Sequence, residues 1–154
     1  AFGHWKADTV ISSRGESRSC LVTFVERKTR PLWAIKAPNR TAKALNTIFG
    51  KFMGRLRSLI KIITVDYGEE FANYQALEQI DQIKAVFVIH IHHGNLVTMV
   101  NILIDGYVGF FQKKANFSPV TISEILSALE LINQRPLKMH HQQTAIESFR
   151  ACSD

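Results

Sequence analysis

The stretch Cys20-Leu21-Val22-Thr23-Phe24-Val25-Glu26 decides the architecture of this chain, together with Leu32-Trp33-Ala34-Ile35-Lys36-Ala37 beyond a turn at Thr29-Arg30-Pro31. Both runs are rich in β-branched and aromatic residues, and so few residues separate them that they read as neighbouring antiparallel strands. A shorter β-rich run, residues 9–12, precedes them and directly follows Asp8. The intervening link Arg14-Gly15-Glu16-Ser17 is polar and carries a glycine, so the first two runs form a hairpin and the three together a meander. Cys20 lies within a strand run, where a cysteine behaves as a small buried hydrophobe.

C-terminal to the meander the period changes. Over residues 41–58, Ala44, Leu45, Ile48, Phe49, Phe52 and Leu56 recur at helical spacing, and basic residues take the other face. Asn39 is the expected N-cap of this helix. Residues 60–65 (IKIITV) read as a buried strand ended by Asp66-Tyr67-Gly68. Residues 71–80 read as a helix and residues 85–89 (AVFVI) as a further strand. After Gly94 the pattern is helical to about Phe111, weakened by Gly106 and Gly109, and residues 113–117 form a loop. An amphipathic helix over residues 121–133 follows Ser118-Pro119 and is closed by Arg135-Pro136, with a short last helix over residues 144–150. This order calls for an α/β fold, a mixed sheet with helices on its faces, in one domain spanning residues 1–154.

Composition sets the outer limits. The chain has 154 residues, 46% hydrophobic and 21% charged, ordinary values for a globular domain with a continuous core. No basic region followed by an apolar run marks a secretory signal. The most apolar segment, residues 96–111, is shorter than a membrane span and contains Asn101 and Asp105, so a cytoplasmic domain without a membrane is expected. The first residue is Ala1 rather than Met, the expectation for a piece of something longer. The two cysteines, Cys20 and Cys152, form neither a disulfide framework nor a zinc spacing. Nineteen basic against thirteen acidic residues give a net charge of +6, which favours a polyanionic partner such as nucleic acid.

Two carboxylates stand out. Asp8 lies at the start of the first strand run, in His4-Trp5-Lys6-Ala7-Asp8, and Asp66 at the end of the fourth. A carboxylate at the end of a buried apolar strand is costly unless paired, and two brought together repel unless a divalent cation joins them. Oxygen-only ligands suit Mg²⁺ or Mn²⁺. The plainer alternative makes Asp8 a strand-end cap and Asp66 the first residue of an Asp-x-Gly turn, and spacing alone favours it.

Longer blocks of sequence tip that balance. They are Gly3-His4-Trp5-Lys6-Ala7-Asp8, Leu21-Val22-Thr23-Phe24-Val25-Glu26-Arg27-Lys28-Thr29-Arg30 and Thr64-Val65-Asp66-Tyr67-Gly68-Glu69-Glu70-Phe71, then Phe117-Ser118 and Leu131-Ile132-Asn133-Gln134-Arg135-Pro136. In these blocks, and in their order from Gly3 nearly to Phe149, the chain resembles the integrase-type catalytic core of bacterial DDE insertion-sequence transposases, related in fold to retroviral integrases. The resemblance implies an RNase H-like fold with a mixed five-stranded sheet, an antiparallel meander plus parallel strands. It implies that Asp8 and Asp66 are the first two metal-binding carboxylates, holding Mg²⁺ or Mn²⁺. The implied reaction hydrolyses a phosphodiester at a transposon end and joins the freed 3′-hydroxyl to target DNA, with no covalent enzyme intermediate. The implied partners are DNA, as transposon ends and target, and at least one further copy of the core, in a bacterial cytoplasm.

The pattern breaks at the third carboxylate. The family's segment reads like His-Pro-Tyr-Ser-Ser-Trp-Glu-Arg-Gly-Thr-Asn-Glu-Asn, with the second Glu catalytic, whereas residues 89–101 here read IHIHHGNLVTMVN. Counting back from Phe110-Phe111 puts the catalytic position at Asn101, a neutral amide. Asp105 lies one helical turn further on the same face, but its reach and angle differ. Tyr67 also stands where the family usually has Asn. One hypothesis accounts for the break across residues 89–109. In the frame starting at each codon's third base, possible codons for Phe87 through Val97 permit Cys-His-Pro-Tyr-Ser-Ser-Trp-Glu-x-Gly. A frameshift near residues 86–88, with a compensating one near Phe110, would produce the observed stretch, and coding DNA unable to spell the family's residues would sink the idea.

His90 and His92 alternate on one strand face beside His93, yet no third and fourth ligand sits at zinc spacing. Glu69 and Glu70 read as residues of a helix start, favoured by its dipole. Lys51 and Arg55, with Arg57, form the basic face of the first long helix, and Lys113 and Lys114 follow the segment of the third carboxylate. These are the expected DNA contacts, Lys113 and Lys114 being the better placed for a phosphate backbone. Three readings stay open: a transposase core impaired by Asn101, a catalytically dead DNA-binding or oligomerising remnant, and a nuclease completed by Asp105.

Overall fold

The computed structural model describes residues 1–11, 18–65, 86–88 and 119–154. Strands β1 (His4–Ile11), β2 (Cys20–Glu26) and β3 (Leu32–Ala37) form the antiparallel meander, with Asp8 opposite Thr23 and Phe24 opposite Trp33. Strand β4 (Ile62–Val65) runs parallel to β1 on its other side, and a three-residue strand, β5 (Val86–Val88), pairs parallel to β4. The sheet order is β3-β2-β1-β4-β5. The mixed α/β class is therefore observed, with β1 to β4 as the body of the sheet and β5 reaching no further than Val88 among the described residues.

Helix α1 (Ala42–Leu56) packs on one face. Its buried residues Leu45, Ile48, Phe49, Phe52 and Met53 meet Trp5 and Ala7 of β1, Val22 and Phe24 of β2, and Ile63 and Val65 of β4, alternate residues that point into this layer. The Phe24 and Phe52 rings stack at 3.8 Å, and Trp5 stands edge-on to Phe52 at 5.1 Å and to Trp33 at 5.4 Å. Helix α2 (Ile122–Asn133) packs on the opposite face, where Ile125, Ala128, Leu129 and Ile132 cover Leu21, Val25, Leu32 and Ala34. Helix α3 (Ala145–Ser153) brings Phe149 against Trp5, Trp33 and Phe2.

One buried carboxylate ties the ends of the meander together. Glu26 Oε1 accepts from the backbone N–H of Gly3 at 3.1 Å, while Oε2 accepts from the N–H groups of Lys28 and Thr29 and from the Thr29 hydroxyl at 2.6 Å. Gly3 sits at φ +90°, where a side chain would be strained, and its carbonyl accepts from Lys61 and Ile62 at the head of β4. In the β2–β3 turn, burial holds the Arg30 guanidinium below the ordinary arginine range; nearby Arg27 adds to the effect and Glu26 opposes it.

Several expected boundaries move. β1 begins at His4 rather than Thr9, because Trp5 and Ala7 belong to the core and their polar neighbours take the other face of the sheet. Asp8 is consequently inside this strand, not at its start. The N-cap of α1 is Thr41, whose hydroxyl oxygen accepts from Ala44 N–H at 3.3 Å, whereas Asn39 accepts from the Thr41 N–H and hydroxyl one step earlier. A 3-10 turn over Arg57–Leu59 takes up the residues before β4, which starts at Ile62. α3 continues past Arg150 to Ser153. The helix expected over residues 71–80, the helical pattern of 94–111 and the loop 113–117 lie outside the described residues.

Candidate active site

The α2-facing side of the sheet is not uniformly apolar. Over β2 and β3 it is built from Leu21, Val25, Leu32 and Ala34, but toward β1 and β4 it carries Lys6, Asp8, Thr23 and Thr64. Strand alternation places Lys6 and Asp8 on this face because Trp5 and Ala7 occupy the other. Cross-strand register brings Thr23 opposite Asp8, with Thr64 beside Lys6. Lys6, Thr23 and Thr64 are buried and Asp8 is half-buried. Buried polar side chains in the middle of a sheet face are costly unless they are hydrogen-bonded, as the Thr23 hydroxyl is to the Asp8 carbonyl.

Asp8 is held in place locally. Its Oδ1 accepts from the N–H of Thr9 at 2.8 Å, and its carbonyl accepts from the Thr23 hydroxyl at 3.2 Å. In the parallel pairing, Ala7 lies opposite Val65, so β4 ends one residue before Asp66 in sequence and level with the residue before Asp8. Asp66 itself lies outside the described residues, as do Asn101, Asp105, Lys113, Lys114, Glu69, Glu70, His90, His92 and His93. Among the described residues no group of three or more His, Cys, Asp or Glu side chains is placed to hold a metal ion. Asp8 alone of the expected pair can be tested. A half-buried carboxylate on a polar strip is a hard oxygen donor that fits a divalent ion, although the lysine two residues before it opposes a cation.

Lys51 and Arg55 are exposed on α1. Because the buried side of α1 covers the Trp5 and Ala7 face, these cations stand across the sheet from Asp8 and are not brought together with it. Lys6, Thr23 and Thr64 were missed by the sequence reading. The signal was available: His4, Lys6 and Asp8 alternate with Trp5 and Ala7, a period of two that a strand beginning at His4 requires.

A meander, a parallel strand beside its first member and helices on both faces define a mixed α/β fold. Comparison with known proteins agrees. The chain is 28% identical over 151 residues to the transposase for insertion sequence element IS4351 of Bacteroides fragilis, covering 97% of this chain and 45% of that protein. It is 26% identical over 148 residues to a probable transposase for insertion-like sequence element IS1161 of Streptococcus salivarius, covering 96% of this chain and 42% of that protein. The chain thus spans less than half the length of the curated relatives it matches. Its fold is similar, at a TM-score of 0.70 and 17% identity, to a chain in the cryo-electron microscopy structure of the simian T-cell lymphotropic virus intasome in complex with the PP2A regulatory subunit B56 gamma. That likeness covers 95% of this chain and 53% of the other. No family model matches the chain. The resemblance read from the sequence, to the integrase-type core of insertion-sequence transposases, is thereby shown. No helix among the described residues is long and apolar enough to cross a membrane.

Proposed function

We propose that this chain is an RNase H-like catalytic core of a DDE transposase, in which Asp8 and Asp66 are the metal-binding carboxylates and Asn101 occupies the place of the third. The observation that carries the reading is the parallel register of β1 with β4, Ala7 opposite Val65, the residues that precede Asp8 and Asp66 in the sequence. Two carboxylates brought close together repel, and a shared cation relieves them. A bound Mg²⁺ or Mn²⁺ would supply activation of the attacking oxygen and stabilisation of the leaving oxygen of a phosphodiester. The chain's own residues hold the geometry: the Thr23 hydroxyl and Thr9 N–H fix the backbone and side chain of Asp8. DNA, as transposon end and target, is the substrate, and strand joining at paired ends requires at least two cores. Lys113 and Lys114 contact the backbone near the reacting phosphate, while Lys51 and Arg55 meet DNA on the opposite side of the sheet.

Asn101 favours a second reading, a remnant that binds DNA or its own kind without chemistry. An amide in place of a carboxylate removes one negative charge from the ligand set and weakens its hold on a divalent ion. Mn²⁺ binding and DNA strand joining, measured side by side, separate the readings. The expected result is weak Mn²⁺ binding that Asp8→Asn and Asp66→Asn each abolish, with little or no joining. Binding indifferent to both substitutions would remove the carboxylate site altogether. Robust joining lost in Asp105→Asn would instead make Asp105 the third ligand.

A further inference from the structure

Helix α2 leaves large apolar side chains in solvent. Ile122 is 70% exposed and Leu126 57%, and the two stand one helical turn apart on the same side of the helix. Leu126 also lines a cavity of about 330 Å³ between α2, α3 and β3, together with the buried Leu129 and the half-buried Trp33 and Ile146. A single exposed leucine means little, whereas an apolar ridge continuous with a cavity marks a place where a partner sits.

The charges around the cavity narrow the choice of partner. α2 carries Glu124 and Glu130 and neither Lys nor Arg, so its surface repels DNA, whereas α1 carries Lys43, Lys51 and Arg55 and no carboxylate. Two exposed residues of opposite sign line the cavity, Glu130 from α2 and Arg150 from α3. A surface with both signs is poorly matched by a polyanion or by a peptide of one charge. It is matched by itself turned about a two-fold axis, because Glu130 of each copy then faces Arg150 of the other.

We infer that the flank formed by α2 and α3 is where a second copy of this chain docks, as a two-fold pair in which Ile122 and Leu126 of each copy cover the cavity of the other. The apolar residues form the centre of such an interface, and Glu130 and Arg150 its charged rim. The pairing needs neither metal nor DNA, so it stands or falls apart from the carboxylate site.

Sedimentation velocity across a concentration series tests this, with circular dichroism as the check on folding. The chain should pass from monomer to dimer as its concentration rises. Leu126→Glu should raise the dimer dissociation constant by about a hundredfold, since a two-fold interface loses the contact twice at about tenfold each. Ile122→Ser should act in the same direction, and it serves as the second variant should Leu126→Glu fail to fold. Glu130→Arg and Arg150→Glu should each weaken association, because each sets like charges against one another at both contacts. Mixing those two proteins puts opposite charges at both contacts again, so the mixture should form the dimer that neither forms alone. A wild type that stays monomeric throughout overturns the inference, as does a dimer that Leu126→Glu and Ile122→Ser leave intact. A mixture that associates no better than its components overturns it as well.

Discussion

Asn133 closes the edge of the sheet onto α2 through both halves of its amide: Oδ1 accepts from the backbone N–H of Leu32 at 2.7 Å, and Nδ2 donates to the carbonyl of the same residue at 2.9 Å. β3 is an edge strand in the described sheet, and an edge left with bare backbone groups is both costly and open to false pairing. Asn133→Ala removes two part-buried hydrogen bonds and should lower stability by about 2 kcal/mol in urea unfolding. Asn133→Asp keeps the acceptor, loses the donor and puts a negative charge at a helix C-terminus, so it should be no better tolerated. A midpoint unchanged in both variants would mean that the Leu32 backbone finds water instead.

Glu26 is the other polar anchor of the meander. Four donors converge on a carboxylate with no solvent exposure, joining Gly3 before β1 to Lys28 and Thr29 in the β2–β3 turn. Glu26→Ala strands all four and should destabilise by about 3 kcal/mol, the range of a broken buried network. Glu26→Gln keeps the shape but turns an amide N–H₂ toward donors, so it should recover only part of the loss. Thermal unfolding of the three proteins provides the comparison, and a glutamine variant as stable as the wild type would deny that the charge matters.

β2 and β3 fall where the β-branched runs put them, because their alternation is strong and Glu26 and Pro31 punctuate them. α1 and α2 are also legible, since Phe49 with Phe52 and Leu129 with Ile132 repeat at helical spacing. β1 was harder to read. His4, Lys6 and Asp8 look like a polar lead-in when taken singly, and only the burial of Lys6 and Thr23 shows that this face of the strand is inside. Asn39 was misread as the cap because it bonds within the turn that delivers Thr41, a local competition between two side chains that composition does not resolve. Of the candidate site, Asp8 could be placed and the register toward Asp66 read from Ala7 and Val65, while the positions of Asp66 and Asn101 rest on the resemblance.

Lys51 and Arg55 offer a test of which surface meets DNA. They project from α1, on the side of the sheet away from Asp8. If both neutralise phosphates, the double substitution Lys51→Ala with Arg55→Ala should reduce the slope of log affinity against log salt by about 2 for duplex DNA, since each contact contributes about 0.9. Fluorescence anisotropy across a salt series reads the slope directly. An unaltered slope would confine DNA to the Asp8 side of the sheet.

Glu147 sets a pH dependence for the last helix. In the capping box of α3 it accepts from the Thr144 N–H at 2.8 Å, while its own N–H donates to the Thr144 hydroxyl oxygen at 3.2 Å. The backbone hydrogen bond of Thr144, then its side chain, hold the Glu147 carboxyl below the ordinary glutamate range; Arg150 adds to this and burial opposes it. A carboxyl with a lowered folded-state value binds its proton less readily folded than unfolded. Its stabilising contribution is therefore present above the unfolded value and is lost as pH falls through the folded one. Because Phe149 of the same helix packs on Trp5 and Trp33, fraying of α3 should be felt in the core as a change in tryptophan fluorescence. Glu147→Gln retains a residue able to close a capping box but removes the charge, so it should be less stable than the wild type at neutral pH and equal to it in acid. A gap between the two proteins that persists unchanged into acid would place the role of Glu147 in packing rather than in its charge.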